Sequence, residues 1–112
     1  MSRIRYLTIP LNESAVENYY NGIENDGNTL EWSISEKEFE QLLECKVFET
    51  INEQCKLMID DFESEIVDKN SIEKAVKCIK ETYGKNPSDT LKTLLSYAEK
   101  ALECETIMAL DF

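Results

Sequence analysis

The residues best equipped for chemistry in this chain are carboxylates. Four of the six residues Asp60-Asp61-Phe62-Glu63-Ser64-Glu65 are acids, and Glu36, Glu40 and Glu44 recur every four residues ahead of them. Oxygen ligands at such density suit either a hard divalent cation or the cationic groups of another protein. The cation reading fails on spacing. With Asp61, Glu63 and Glu65 as ligands one, three and five of a calcium loop, Ile66 stands where glycine is needed and Ile72 where glutamate is needed. The chain has no histidine, so the usual base near neutral pH is missing and no zinc set can be completed. Its three glycines, at 22, 27 and 84, are isolated and build no phosphate loop, and no serine sits in a nucleophile elbow. Cys45, Cys55, Cys78 and Cys104 contain no C-x-x-C pair and fall in or beside apolar-periodic segments, which predicts buried, reduced thiols. The expectation is a non-enzymatic protein without cofactor or metal. Its candidate partner-binding residues are Glu36, Glu40, Glu44, Asp60, Asp61, Glu63 and Glu65.

Charge supports that expectation. In 112 residues, 23 acids face 12 bases, for a net charge of -11. Binding nucleic acid or an anionic membrane depends on basic groups, so both are expected to be repelled, while basic proteins are attracted. The excess is uneven. Residues 36–65 hold ten acids and three bases, whereas residues 66–112 hold eight acids and seven bases. Like charges four apart on a helix oppose its formation by roughly 0.2–0.5 kcal/mol per pair, and a row kept at that cost suggests a partner that needs it. Tyr19, Tyr20, Trp32 and Phe62 are further candidates as interface anchors. The competing reading makes Trp32 a core residue in a central strand.

The elements that must position these residues follow from periodicity. Arg3 to Ile9 reads as a strand closed by Pro10. Asn12 then precedes a helix with Val16, Tyr19, Tyr20 and Ile23 on one face, weakened at Gly22 and ended by Asn25-Asp26-Gly27-Asn28. Residues 29–34 alternate as a second strand. Ser35 with Glu38 forms a capping box that starts a helix near Glu36, with Phe39, Leu42 and Leu43 inward. Phe48, Ile51, Cys55, Met58 and Phe62 step by three and four, which suits one long helix or two stacked ones. Leu57-Met58-Ile59 before Asp60-Asp61 also fits a turn or short strand. A helix over about 46–56 is expected, with residues 57–69 left open. Asn70 with Glu73 predicts the start of a helix ended by Gly84 in the left-handed conformation. Pro87 predicts the next helix start, with a buried stripe of Leu91, Leu94, Leu95, Ala98, Ala101 and Leu102. Thr106 to Leu110 reads as a closing strand. The sum is a single α+β domain over residues 1–112, a small three-stranded sheet packed with four or five helices. The N-terminus lacks a secretory core and no apolar run is long enough to span a bilayer, which predicts a cytoplasmic protein without membrane contact.

The segment Leu57-Met58-Ile59-Asp60-Asp61-Phe62-Glu63-Ser64-Glu65-Ile66-Val67, with the helix Ser71 to Lys80 after it, resembles the immunity proteins of bacterial polymorphic toxin systems of the contact-dependent growth inhibition type. Small size, acidic charge and absent catalytic motifs agree with it. The resemblance implies an antitoxin that binds a cognate toxin domain, typically a nuclease (ribonuclease or tRNase) with a basic cleft, through the acidic surface of residues 36–65. Two other readings fit the residues. One is a non-catalytic interaction module or subunit of another cytoplasmic complex; the other is a small metal-dependent enzyme using the 60–65 acids.

Overall fold

The computed structural model describes residues 4–23 and 27–112. Nine elements follow in order: β1 (Arg5–Pro10), α1 (Glu13–Tyr20), β2 (Thr29–Ile34), α2 (Glu36–Glu44), α3 (Val47–Cys55), β3 (Ser64–Val67), α4 (Ile72–Lys85), α5 (Asp89–Cys104) and β4 (Met108–Asp111). The sheet has four antiparallel strands in the order β2-β1-β4-β3. The expected three-stranded sheet is therefore corrected to four. The addition is β3, a four-residue edge strand reading Ser-Glu-Ile-Val. Two polar residues in four hide the alternation that marks a longer strand. Five helices and an α+β architecture match the expectation.

The first and last strands lie side by side in the middle of the sheet. Leu7 pairs with both Trp32 and Leu110, so the alternation Leu7, Ile9, Trp32, Ile34, Met108, Leu110 and Val67 forms one apolar face. Phe39 and Leu42 of α2, Ile51 of α3, Ala75 and Ile79 of α4, and Leu91, Leu94 and Ala98 of α5 complete that core. α1 packs on the opposite face. Its Val16 lies beside Ile107, its Ala15 is buried, and Tyr19 is near enough to Asp111 to feel its charge. Trp32 is buried as one reading expected, but in an edge strand, where it stacks on Tyr97 with ring centres 5.6 Å apart.

Local chemistry explains most boundaries. Asn12 accepts the Ala15 N–H and starts α1. Ser35 and Glu38 exchange both bonds of the predicted capping box. Several expected boundaries move. β1 begins at Arg5, Arg3 lies outside the described residues, and Pro10 ends the strand from within it. α1 stops at Tyr20; of the cluster expected to end it, Asn25 and Asp26 fall outside the described residues. Ser71, not Asn70, precedes α4, and Asp68 accepts the Ser71 N–H. Gly84 does not terminate α4, which runs through it to Lys85 and stops because Pro87 disfavours a helical Asn86. Pro87 is not the first helical residue either; Ser88 caps α5 by accepting the Leu91 N–H. Leu43 and Leu102, expected inward, are exposed. All four thiols are free, with Cys78 buried and the other three half-buried.

Candidate protein-interaction surface

Arg5 organises the acidic region. It alternates with Leu7 and Ile9 on the core side of β1, and only 4% of its surface is exposed. A charge in that position requires partners, and the central acids supply them. Arg5 Nε and Nη2 donate to the two oxygens of Asp61 at 3.0 and 2.9 Å, and Nη1 donates to Glu36 at 3.0 Å. The guanidinium lies 3.9 Å over the Phe39 ring. Hydrogen bonding to Asp61 raises the Arg5 pKa against the opposing effect of burial, and Glu36 adds to the rise. The fork-to-fork geometry with Asp61 is the strong form of such a pair. It fastens the loop after α3 to the N-terminus of α2.

That loop is held at several further points. Asn52, in α3, accepts the Ile59 N–H at 2.7 Å and donates to the Ile59 carbonyl at 3.0 Å. Asp60 accepts the Asp61 N–H and Asp61 accepts the Phe62 N–H. Phe112 N–H donates to the Glu63 carbonyl at 3.0 Å, extending the β3–β4 ladder one pair beyond Ser64 and Asp111. Bonded pairs in an antiparallel ladder alternate, so Ile66 turns its backbone N–H to the open edge. Glu65 closes that edge: one oxygen accepts the Ile66 N–H at 3.2 Å and the other the Met58 N–H at 3.0 Å.

The seven acids named from sequence thus separate into two groups. Glu36, Asp61 and Glu65 are half-buried and bonded within the molecule. Glu40, Glu44, Asp60 and Glu63 are exposed, and among the described residues none of the four forms an ion pair. Arg5 draws Glu36 and the loop acids together at one end of the sheet. Glu44 is eight residues along α2 from Glu36, about 12 Å of helix. It lines a cleft with Gln41, Asn86, Pro87 and Ser88, where the Gln41 side chain accepts a hydrogen bond from Thr90. Of the exposed acids, Glu40 and Glu44 follow Glu36 along α2, while Asp60 and Glu63 sit in the loop that Arg5 joins to the start of that helix. Among the described residues no group of three or more histidine, cysteine, aspartate or glutamate side chains is placed to hold a metal ion.

Two residues escaped the sequence reading. Arg5 was treated as part of an ordinary strand, although its alternation with Leu7 and Ile9 placed it on the buried side. Met58 steps with Phe48, Ile51, Cys55 and Phe62 at helical spacing, yet it lies outside any helix and is 78% exposed. Of the candidate aromatic anchors, Phe62 and Tyr20 are exposed, Tyr19 is half-buried and Trp32 is buried.

The class defined by these features is a small acidic α+β domain, a four-stranded antiparallel sheet with four helices on one face and one on the other. No family model and no curated protein matches the sequence. A solved structure with a similar fold is the Neisseria DNA mimic protein DMP12. It superposes with a TM-score of 0.60 over 96% of this chain and 99% of that one, at 14% sequence identity. Among the described residues no helix is long and apolar enough to cross a membrane.

Proposed function

We propose that this domain binds the basic, nucleic-acid-handling surface of a partner protein, its exposed carboxylates standing where phosphates would lie. The carrying observation is that Glu40, Glu44, Asp60 and Glu63 face solvent and form no ion pair among the described residues, on a frame whose other acids are used to hold it rigid. A row of glutamates at four-residue steps sets charges about 6 Å apart along α2. Duplex DNA carries a phosphate every ~3.4 Å of axis on each strand. The similarity in fold to a protein described as a DNA mimic supports this reading. The action is binding, not catalysis, and its setting is the cytoplasm. The resemblance to toxin immunity proteins narrows the partner to a cognate nuclease toxin, one member of the same class of basic partners.

Immobilised protein should retain a basic partner from the native cell extract, and duplex DNA or RNA should compete it off. The combined variant Glu40→Gln, Glu44→Gln, Asp60→Asn, Glu63→Gln should bind more slowly and with a weaker dependence on salt. An unchanged salt dependence in that variant would reject the surface. Co-expression with a candidate toxin domain tests the narrower reading, which fails if toxicity persists.

A further inference from the structure

We infer that Phe62, with Met58 on the same loop, is the apolar anchor of this interface and seats in a hollow on the partner's basic surface. The inference rests on the reading above and adds what charge alone lacks, a contact that slows release. Phe62 and Met58 are the most exposed large apolar side chains among the described residues, at 80% and 78%. Phe62 also adopts a backbone φ of 65°, unfavourable for a bulky residue. Among the described residues the other non-glycine residues with positive φ are Lys46 and Lys56, which bound α3, and Glu105, which ends α5. Such a conformation is ordinary at a helix end. Phe62 instead stands third in the turn over residues 60–63, closed by the Glu63 N–H on the Asp60 carbonyl at 3.3 Å, a position that favours glycine.

The loop is not loose. The Arg5–Asp61 pair, the two Asn52 bonds and the Glu65–Met58 bond hold it while its apolar side chains point outward. An aromatic side chain carried on a backbone held before binding spares the loop most of its ordering cost on binding, a condition for an effective anchor. Exposed Asp60 and Glu63 flank Phe62, so the complementary surface is an apolar hollow with a basic border. A second copy of this chain is disfavoured as occupant, since each carries a net charge of -11.

Two labelled peptides with identical lysine spacing, one with leucine and one with serine between the lysines, serve as probes in fluorescence anisotropy. The leucine peptide should bind at least about tenfold more tightly than the serine peptide. Phe62→Gly and, separately, Met58→Ser should reduce that advantage while leaving the serine peptide's affinity unchanged. Glycine accepts positive φ, so Phe62→Gly should not lower the thermal midpoint, and a binding loss cannot then be attributed to unfolding. Asp60→Asn with Glu63→Gln should weaken both peptides. Equal affinity for the two peptides, or a leucine advantage that survives both apolar substitutions, overturns the anchor and leaves the charge reading standing. Insensitivity of the serine peptide to the amide substitutions counts against the charge reading instead. Phe62-dependent binding to phosphatidylcholine vesicles without binding to either peptide would also overturn the anchor, in favour of a lipid surface.

Discussion

Glu36, Asp61 and Glu65 come from the same acidic stretch as Glu40, Glu44, Asp60 and Glu63, and nothing in residue type distinguishes the two groups. Their positions in the fold do. The first three lie where backbone or guanidinium donors would otherwise be left with poor partners: the buried Arg5, the open edge of β3 and the N–H of Met58. The other four are exposed and form no ion pair among the described residues, Asp60 accepting only the N–H of its neighbour Asp61. An acid-rich segment can therefore do two jobs at once. Some carboxylates satisfy donors and fix the frame, and their neighbours remain available to a partner. Adjacent Asp60 and Asp61 show how fine the division is.

The largest test of that division is Arg5→Ala. It removes the group that binds two carboxylates and covers the Phe39 ring. Because Glu36 and Asp61 are partly exposed and can be rehydrated, the expected loss is about 2–4 kcal/mol, below that of a wholly buried network. Urea denaturation would measure it, and a loss no larger than that of a surface substitution would dissolve the distinction between the groups. Asp61→Asn leaves Arg5 with one charged partner and should cost about 1–2 kcal/mol. Asp60→Asn, one residue earlier, should stay within about 0.5 kcal/mol of the parent. Equal effects at 60 and 61 would show that the loop does not separate them.

Alkaline pH supplies a separate marker of the interior. Burial pushes the Cys45, Cys55 and Cys78 thiols above their ordinary value of 9.0, and Tyr19 above 10.0. The folded state then holds these protons more tightly than the unfolded chain. This stability is fully present below the ordinary values and is lost as pH rises through the raised ones. A urea midpoint that falls as pH rises above about 9 is expected, and a flat profile there would contradict it. The comparison between the acid groups is accordingly best made near neutral pH. The smallest expected effect is at Glu40. Its replacement by glutamine should stabilise the domain by about 0.2–0.5 kcal/mol, by removing like-charge repulsion from Glu44. Arg5 already offsets Glu36, so the Glu40–Glu44 pair should provide most of that gain.

Patterns that act over a few residues were legible in the chain. The Ser35–Glu38 capping box, the helix start after Asn12 and the alternation of residues 29–34 appear where local spacing put them, and the paired C-terminal helices are present with shifted ends. At Gly84 two local signals compete, and the restraint exerted by Pro87 on Asn86 outweighs the glycine. Elsewhere the failures lie where distant residues decide. β3 was illegible because its pairing partner, β4, is about forty residues away and its own four residues are too few to show a period.

Sequence alone determined that the domain is acidic, that its excess charge is concentrated in residues 36–65, and that histidine chemistry is absent, because these are properties of composition and order. Only the tertiary structure decided which of those charges reach solvent. A carboxylate's availability depends on whether folding brings a donor within hydrogen-bond distance. Arg5 stands 56 residues from Asp61 along the chain and 2.9 Å away in the folded protein.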